Sequence, residues 1–129
     1  LVMLAGGIGI APFRSMMLDA IKKNPARRLM LFYSNRTMQD IVFGGALSEL
    51  AAEYPTIEIH HFITREEGLP ARVARGRISA QAVARSAQGA HDPEFFICGS
   101  IAFVRDMWRG LRDAGIGEEC LYTEAFFSH

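Results

Sequence analysis

Only two cysteines occur in the 129 residues, Cys98 and Cys120. No disulfide framework can staple the chain, and a plant-type iron–sulfur cluster would lack ligands. Neither sign of charge is in excess, since 14 Lys and Arg face 14 Asp and Glu. No net field therefore favours nucleic acid or an anionic membrane as partner. Long apolar runs are missing too. None approaches the roughly 20 residues of a membrane-spanning helix, and no basic stretch followed by an apolar one marks a secretory signal. These absences predict a cytoplasmic chain with no membrane insertion and no nucleic-acid partner. Repeats and low-complexity tracts are lacking, and 129 residues fit one domain with a single core. Histidines are few, and the adjacent pair His60–His61 lies on a predicted strand whose side chains alternate in direction, so the two cannot share a metal. No metal site is expected. Nor does spacing alone place a Ser–His–Asp or paired-carboxylate constellation.

Apolar residues make up half the chain, and their spacing changes from segment to segment. The run LVMLA at residues 1–5 reads as a strand. Pro12 suits a first helical turn, and Phe13, Met16, Met17, Ala20 and Ile21 follow helical spacing to about Lys23. A second strand covers 28–33. Thr37, with Asp40 three residues on, then predicts a helix N-terminus and a helix to about Tyr54, irregular at first because Gly44 and Gly45 lie inside it. A third strand spans 56–64, and Arg65 to Arg77 reads as a loop. Ser79 caps a short helix to about Gln88, 94–99 is a buried strand, and Phe103, Val104, Met107, Trp108 and Leu111 mark a helix closed by Gly115. Residues 120–127 make a fifth strand. Strands alternating with helices imply right-handed crossovers and a parallel sheet covered on both faces, with ligands bound beyond the carboxyl ends of the strands. The chain opens on its apolar run with no polar lead, which predicts a further domain upstream.

Gly6, Gly7 and Gly9 stand between the first strand and the first helix. That arrangement can cradle a diphosphate against free backbone N–H groups and the helix dipole, and it can equally be a tight turn. The spacing matches neither G-x-G-x-x-G nor a P-loop, and the second strand ends in Ser34-Asn35-Arg36 rather than in a ribose-binding carboxylate. A typical Rossmann dehydrogenase is disfavoured.

Five ordered segments, GGIGIAP (6–12), YSNRT (33–37), GRIS (76–79), FFICGS (95–100) and TEAFF (123–127), resemble the nicotinamide-binding domain of the ferredoxin–NADP reductase-like family over essentially the whole chain. The resemblance implies an α/β, Rossmann-like three-layer fold with a five-stranded parallel sheet in the order 3-2-1-4-5. It also implies a hydride passed between NAD(P)H and FAD or FMN. The flavin would be held by an upstream flavin-binding barrel, and electrons would pass on to an acceptor protein or small molecule. By the same resemblance Gly6, Gly7, Gly9, Ile10 and Pro12 form the diphosphate turn. Ser34, Asn35, Arg36, Thr64, Gly99 and Ser100 add cofactor contacts. Cys98 and Glu124 lie by the nicotinamide, and Phe126 and Phe127 lie near the rings.

Arg65 and Arg77 match residues that meet a 2′-phosphate, for which a planar guanidinium is well shaped. The GRI triplet occurs also in NADH-using relatives, and Ser79 replaces the tyrosine that often stacks on adenine, so both nucleotides stay open. Taken alone, Cys98 is also an ordinary small buried residue and 120–127 an ordinary last strand. The rival function is a non-catalytic nucleotide-binding or regulatory module that pairs with a separate flavoprotein. A doubly wound hydrolase lacks its nucleophile elbow.

Overall fold

Val2–Gly6 forms β1, and Gly7–Ile10 is a 3-10 turn that runs into α1, Ala11–Lys23, in the computed structural model, which describes residues 1–126. Next come β2 (Leu29–Asn35), a 3-10 turn at Met38–Asp40, α2 (Gly44–Glu53), β3 (Ile57–Ile63) and β4 (Ala74–Arg75). The chain continues through α3 (Ala80–Ser86), β5 (Phe95–Ser100), α4 (Ile101–Asp113) and β6 (Leu121–Phe126). All pairings are parallel and the strand order is β4-β3-β2-β1-β5-β6. Five of these strands keep the predicted order.

Alternation on β1 divides the core. Val2 and Leu4 pack with Phe32, Ile97, Val83 and Leu111 on the face covered by α3 and α4, whereas Met3 and Ala5 pack with Leu31, Tyr33, Phe13, Met17 and Leu47 under α1 and α2. A strand buried on both faces reads as a continuous apolar run, which is why its period cannot be seen in sequence. On α1 the expected stripe is the inward one: Phe13 and Met17 are buried, while Arg14, Ser15, Leu18 and Asp19 face water. Lys22 and Lys23 close its last turn, where cations favour the helix dipole.

The structure corrects the sequence reading in three places. The sheet has six strands, because Ala74 and Arg75 inside the expected loop pair with Phe62 and Ile63, and Gly76 N–H donates to the Ile63 carbonyl at 2.8 Å. A two-residue strand has no period to read. β2 runs on through Ser34 and Asn35, since β3 offers partners as far as Ile63. The helix expected from Thr37 is broken: its capping pair, Thr37 and Asp40, closes only one 3-10 turn. Ile41 is extended, the Val42 N–H donates to the Tyr33 hydroxyl at 3.1 Å, and Phe43 turns left-handed (φ 63°) under the Arg14 guanidinium. Helix α2 therefore starts at Gly44. Ser79 and Gly115 do cap as expected: the Ser79 hydroxyl accepts from Ala82 N–H, and Gly115 follows α4 at φ 95°.

The two histidines of β3 point to opposite faces. His60 stacks on Phe32 at 5.0 Å and His61 leans on Tyr33 at 5.7 Å. The His61 Nδ1 is buried without a hydrogen-bond partner. Burial, then Arg72 and then His60, push its pKa below the ordinary 6.5. A folded-state pKa below the unfolded one means that unfolding takes up a proton, so this residue's contribution is full above pH 6.5 and shrinks as pH falls beneath it. The urea midpoint is expected to drop between pH 6.5 and 5, with a gentler slope in His61→Gln. Equal slopes in parent and variant would remove His61 as the cause.

Candidate functional site

An open cleft of about 470 Å³ lies across the carboxyl ends of the strands. Its centre is the β1–α1 turn, with Gly6, Gly7 and the exposed side chain of Ile8. On one side stand Ser34, Asn35 and Arg36 from the end of β2, with Asp40 and Thr64. On the other stand Ser100, Phe103 and Phe126. Parallel strands deliver this arrangement directly, because every strand ends at the same edge and every following helix starts there.

Each glycine of the turn has its own steric reason. Gly7 adopts φ 56°, and a Cβ there would meet nothing within 4 Å, so its Cα borders open cleft. Gly6 lies under the Phe103 ring, 2.9 Å from where its Cβ would be. Gly9 is buried against β5, and a Cβ would stand 2.6 Å from the Cys98 carbonyl carbon and 3.0 Å from the Gly99 nitrogen. Gly99 is likewise covered by Phe103, at 2.7 Å. Phe103 thus fixes two glycines from the far side while its ring lines the cleft. At the start of α4 the Ser100 hydroxyl accepts the Phe103 N–H at 3.2 Å.

Cys98 and Glu124 sit together but outside this cleft. They are register neighbours on β5 and β6 and border a second cavity of about 230 Å³, with Pro12, Phe13, Met16 and Phe96. Cys98 is only 2% exposed. Burial, and after it the Glu124 carboxylate, push its thiol pKa up, so the group stays neutral at neutral pH. Both cysteines are free thiols. Phe126 lines the cleft and also packs on the α1-side core.

Of the residues expected here, the cleft gathers Gly6, Gly7, Ser34, Asn35, Arg36, Thr64, Ser100 and Phe126. Ile10 is buried in the core and shapes the turn from beneath. Arg65 and Arg77 are exposed and do not line the cleft, although the Arg65 N–H donates to the Arg36 carbonyl at 2.9 Å. Arg36, Arg65 and Arg77 form no ion pair among the described residues. Phe127 lies outside the described residues. Ile8, Asp40 and Phe103 were not foreseen as site residues. Asp40 reads as a capping residue and Phe103 as part of a core stripe, which both also are; Ile8 carries no sequence signal beyond its place between two glycines, and its exposure is seen only in the fold.

No described helix is long and apolar enough to cross a membrane. Among the described residues no group of three or more His, Cys, Asp or Glu could hold a metal.

The family profile for the oxidoreductase NAD-binding domain matches residues 3–109. The chain is 31% identical over 128 residues to the ferredoxin reductase component of a 3-ketosteroid-9-alpha-monooxygenase of Mycolicibacterium smegmatis, covering 98% of this chain and 34% of that protein. It is 35% identical over 109 residues to an NADH-cytochrome b5 reductase 2-A of Vanderwaltozyma polyspora, covering 81% of this chain and 36% of the relative. The chain thus spans about a third of the curated relatives it matches. Among solved structures, an Amycolatopsis cytochrome P450 reductase superposes with a TM-score of 0.85 at 20% identity, over 98% of this chain and 37% of that one, a likeness of fold. The cytochrome b5 reductase domain of Ulva prolifera nitrate reductase gives 0.78 at 25% identity, over 95% and 47%.

Proposed function

Because the chain belongs to the oxidoreductase NAD-binding domain family, we propose that it holds NADH or NADPH across the C-terminal edge of its sheet. In the whole protein it would present the nicotinamide to FAD or FMN on a flavin-binding domain. Gly7 carries the reading: a left-handed residue with free space where its side chain would be lets a bulky group reach the backbone at a helix start. The first N–H groups of a helix lack intrahelical acceptors, so those at the Gly7–Ile10 turn can donate to diphosphate oxygens. The residues present fit such a ligand, with Arg36 on one side of the turn and Phe126 on the other.

A bound nicotinamide supplies the hydride chemistry, with the flavin as its partner. The chain's own part is positional. Ser34, Arg36 and Thr64 stand where the adenosine end would lie. Cys98, buried and kept neutral, lines the smaller cavity beside Glu124, where the nicotinamide would rest. Glu124 is the adjacent carboxylate that can hold a carboxamide. Electrons would leave toward an acceptor protein or small molecule, in the cytoplasm. Calorimetry with ADP-ribose tests the binding: saturable one-to-one binding is expected, and none at millimolar ligand would overturn the reading.

The family resemblance sets Arg65 and Arg77 against a 2′-phosphate, and both are exposed at the β3 end of the sheet's edge. Arg65→Glu is expected to weaken NADPH more than NADH by about 1.5–3 kcal/mol, the range for a hydrogen bond to a charged group. Equal losses for the two nucleotides would show that this loop does not read the phosphate.

A further inference from the structure

Asp40 is the one anion among the described residues that line the cleft, and Arg36 is the one cation. The carboxylate is held in place. Its Oδ2 accepts the Thr37 N–H at 3.2 Å and the Thr37 hydroxyl at 3.1 Å, and none of its described hydrogen bonds uses Oδ1. From the loop after β3, Glu66 reaches the same turn, where its Oε1 accepts the Met38 N–H at 3.0 Å. Two successive backbone donors at this rim are thus already taken by the chain's own carboxylates. A further anion arriving here would find neither N–H free and would meet negative charge instead.

We infer that Asp40 sets the choice of nucleotide, accepting from the 2′-hydroxyl of the adenosine ribose and repelling a 2′-phosphate, so that the chain selects NADH. This rests on the nucleotide reading above and makes the choice which that reading leaves open. The free oxygen of a carboxylate accepts from a hydroxyl, whereas a phosphate monoester brings about 1.5–2 negative charges against it. Charge counting agrees. The diphosphate calls on Arg36, and no second cation lines the cleft among the described residues, since Arg65 and Arg77 stand outside it. The second strand ends without the acid that commonly holds this ribose. The fold supplies one from the 3-10 turn at Met38–Asp40, in the same cleft as Ser34 and Thr64. A neutral amide can fill the same capping role, so the charge of Asp40 acts on what enters the cleft. Arg65 and Asp40 would pull on a 2′-phosphate in opposite directions, and Asp40 is the one inside.

Calorimetric titration with ADP-ribose and 2′-phospho-ADP-ribose, which differ only at that oxygen, tests the choice directly. The parent chain is expected to bind ADP-ribose at least tenfold more tightly. Asp40→Asn keeps an acceptor for Thr37 while removing the charge, and Asp40→Ser is a second, smaller neutral variant; thermal melting shows that each is folded. Both should narrow the ratio at least fivefold, chiefly by tightening the phosphorylated ligand. A parent that binds the two ligands equally, or prefers the phosphorylated one, would overturn the inference and leave the nucleotide reading standing. So would a folded neutral variant whose ratio matches the parent's. A parent that binds neither ligand would overturn the nucleotide reading and this inference with it.

Discussion

Gly9→Ala is expected to cost about 3 kcal/mol of stability or more. Added atoms are tolerated where a flexible side chain can yield. Here the new methyl would meet backbone, the Cys98 carbonyl carbon at 2.6 Å and the Gly99 nitrogen at 3.0 Å. Those atoms belong to β5, which is itself held between β1 and β6. Either the β1–α1 turn lifts away from the sheet or β5 moves, and both disrupt the cleft. Nucleotide binding should therefore disappear together with stability. Gly45→Ala is the control: its Cβ meets nothing within 4 Å, it lies in α2, and it should stabilise by about 0.5 kcal/mol. Urea denaturation of the two variants decides the matter. Similar midpoints would mean that the turn is far softer than its contacts imply.

Cys98→Ala is expected to act on rate more than on binding. The diphosphate turn lies on β1 and α1, whereas Cys98 floors the smaller cavity beside Glu124. Removing one sulfur from a site that is 2% exposed leaves a small void and costs modest stability. A nicotinamide resting on that floor would lose its stop, and small displacements between reacting atoms lower rates steeply. In the intact flavoprotein, flavin reduction by NADH or NADPH should slow about tenfold or more, a barrier rise of about 1.4 kcal/mol per tenfold. The dissociation constant for ADP should stay within twofold. Stopped-flow reduction with protiated and 4-deuterated nucleotide measures the step directly. An unaltered rate and isotope effect, combined with a lower melting temperature, would make Cys98 a packing residue only.

The order of elements was present in the sequence because each signal was local. The 13FRSMM17 stripe, the Ser79 cap, the Gly115 stop and the three glycines act within a turn or two of themselves, so their spacing alone implied alternating strands and helices. Together with the five motifs, it also placed Gly6, Gly7, Ser34, Thr64 and Ser100 at one edge. What the sequence could not contain was any event that depends on a distant partner. Ala74 and Arg75 form a strand only because β3 has an open edge, and the helix expected at Thr37 breaks because Tyr33 offers its hydroxyl to Val42 and Arg14 covers Phe43. The same holds in the site. Phe103 reads as one more core residue until it is seen lying on Gly6 and Gly99, and nothing in the sequence shows that the fold seals the Asn35 amide without a partner. Burial is a property of the assembled layers, and the cost of an unpaired group or an added methyl exists only after those layers close.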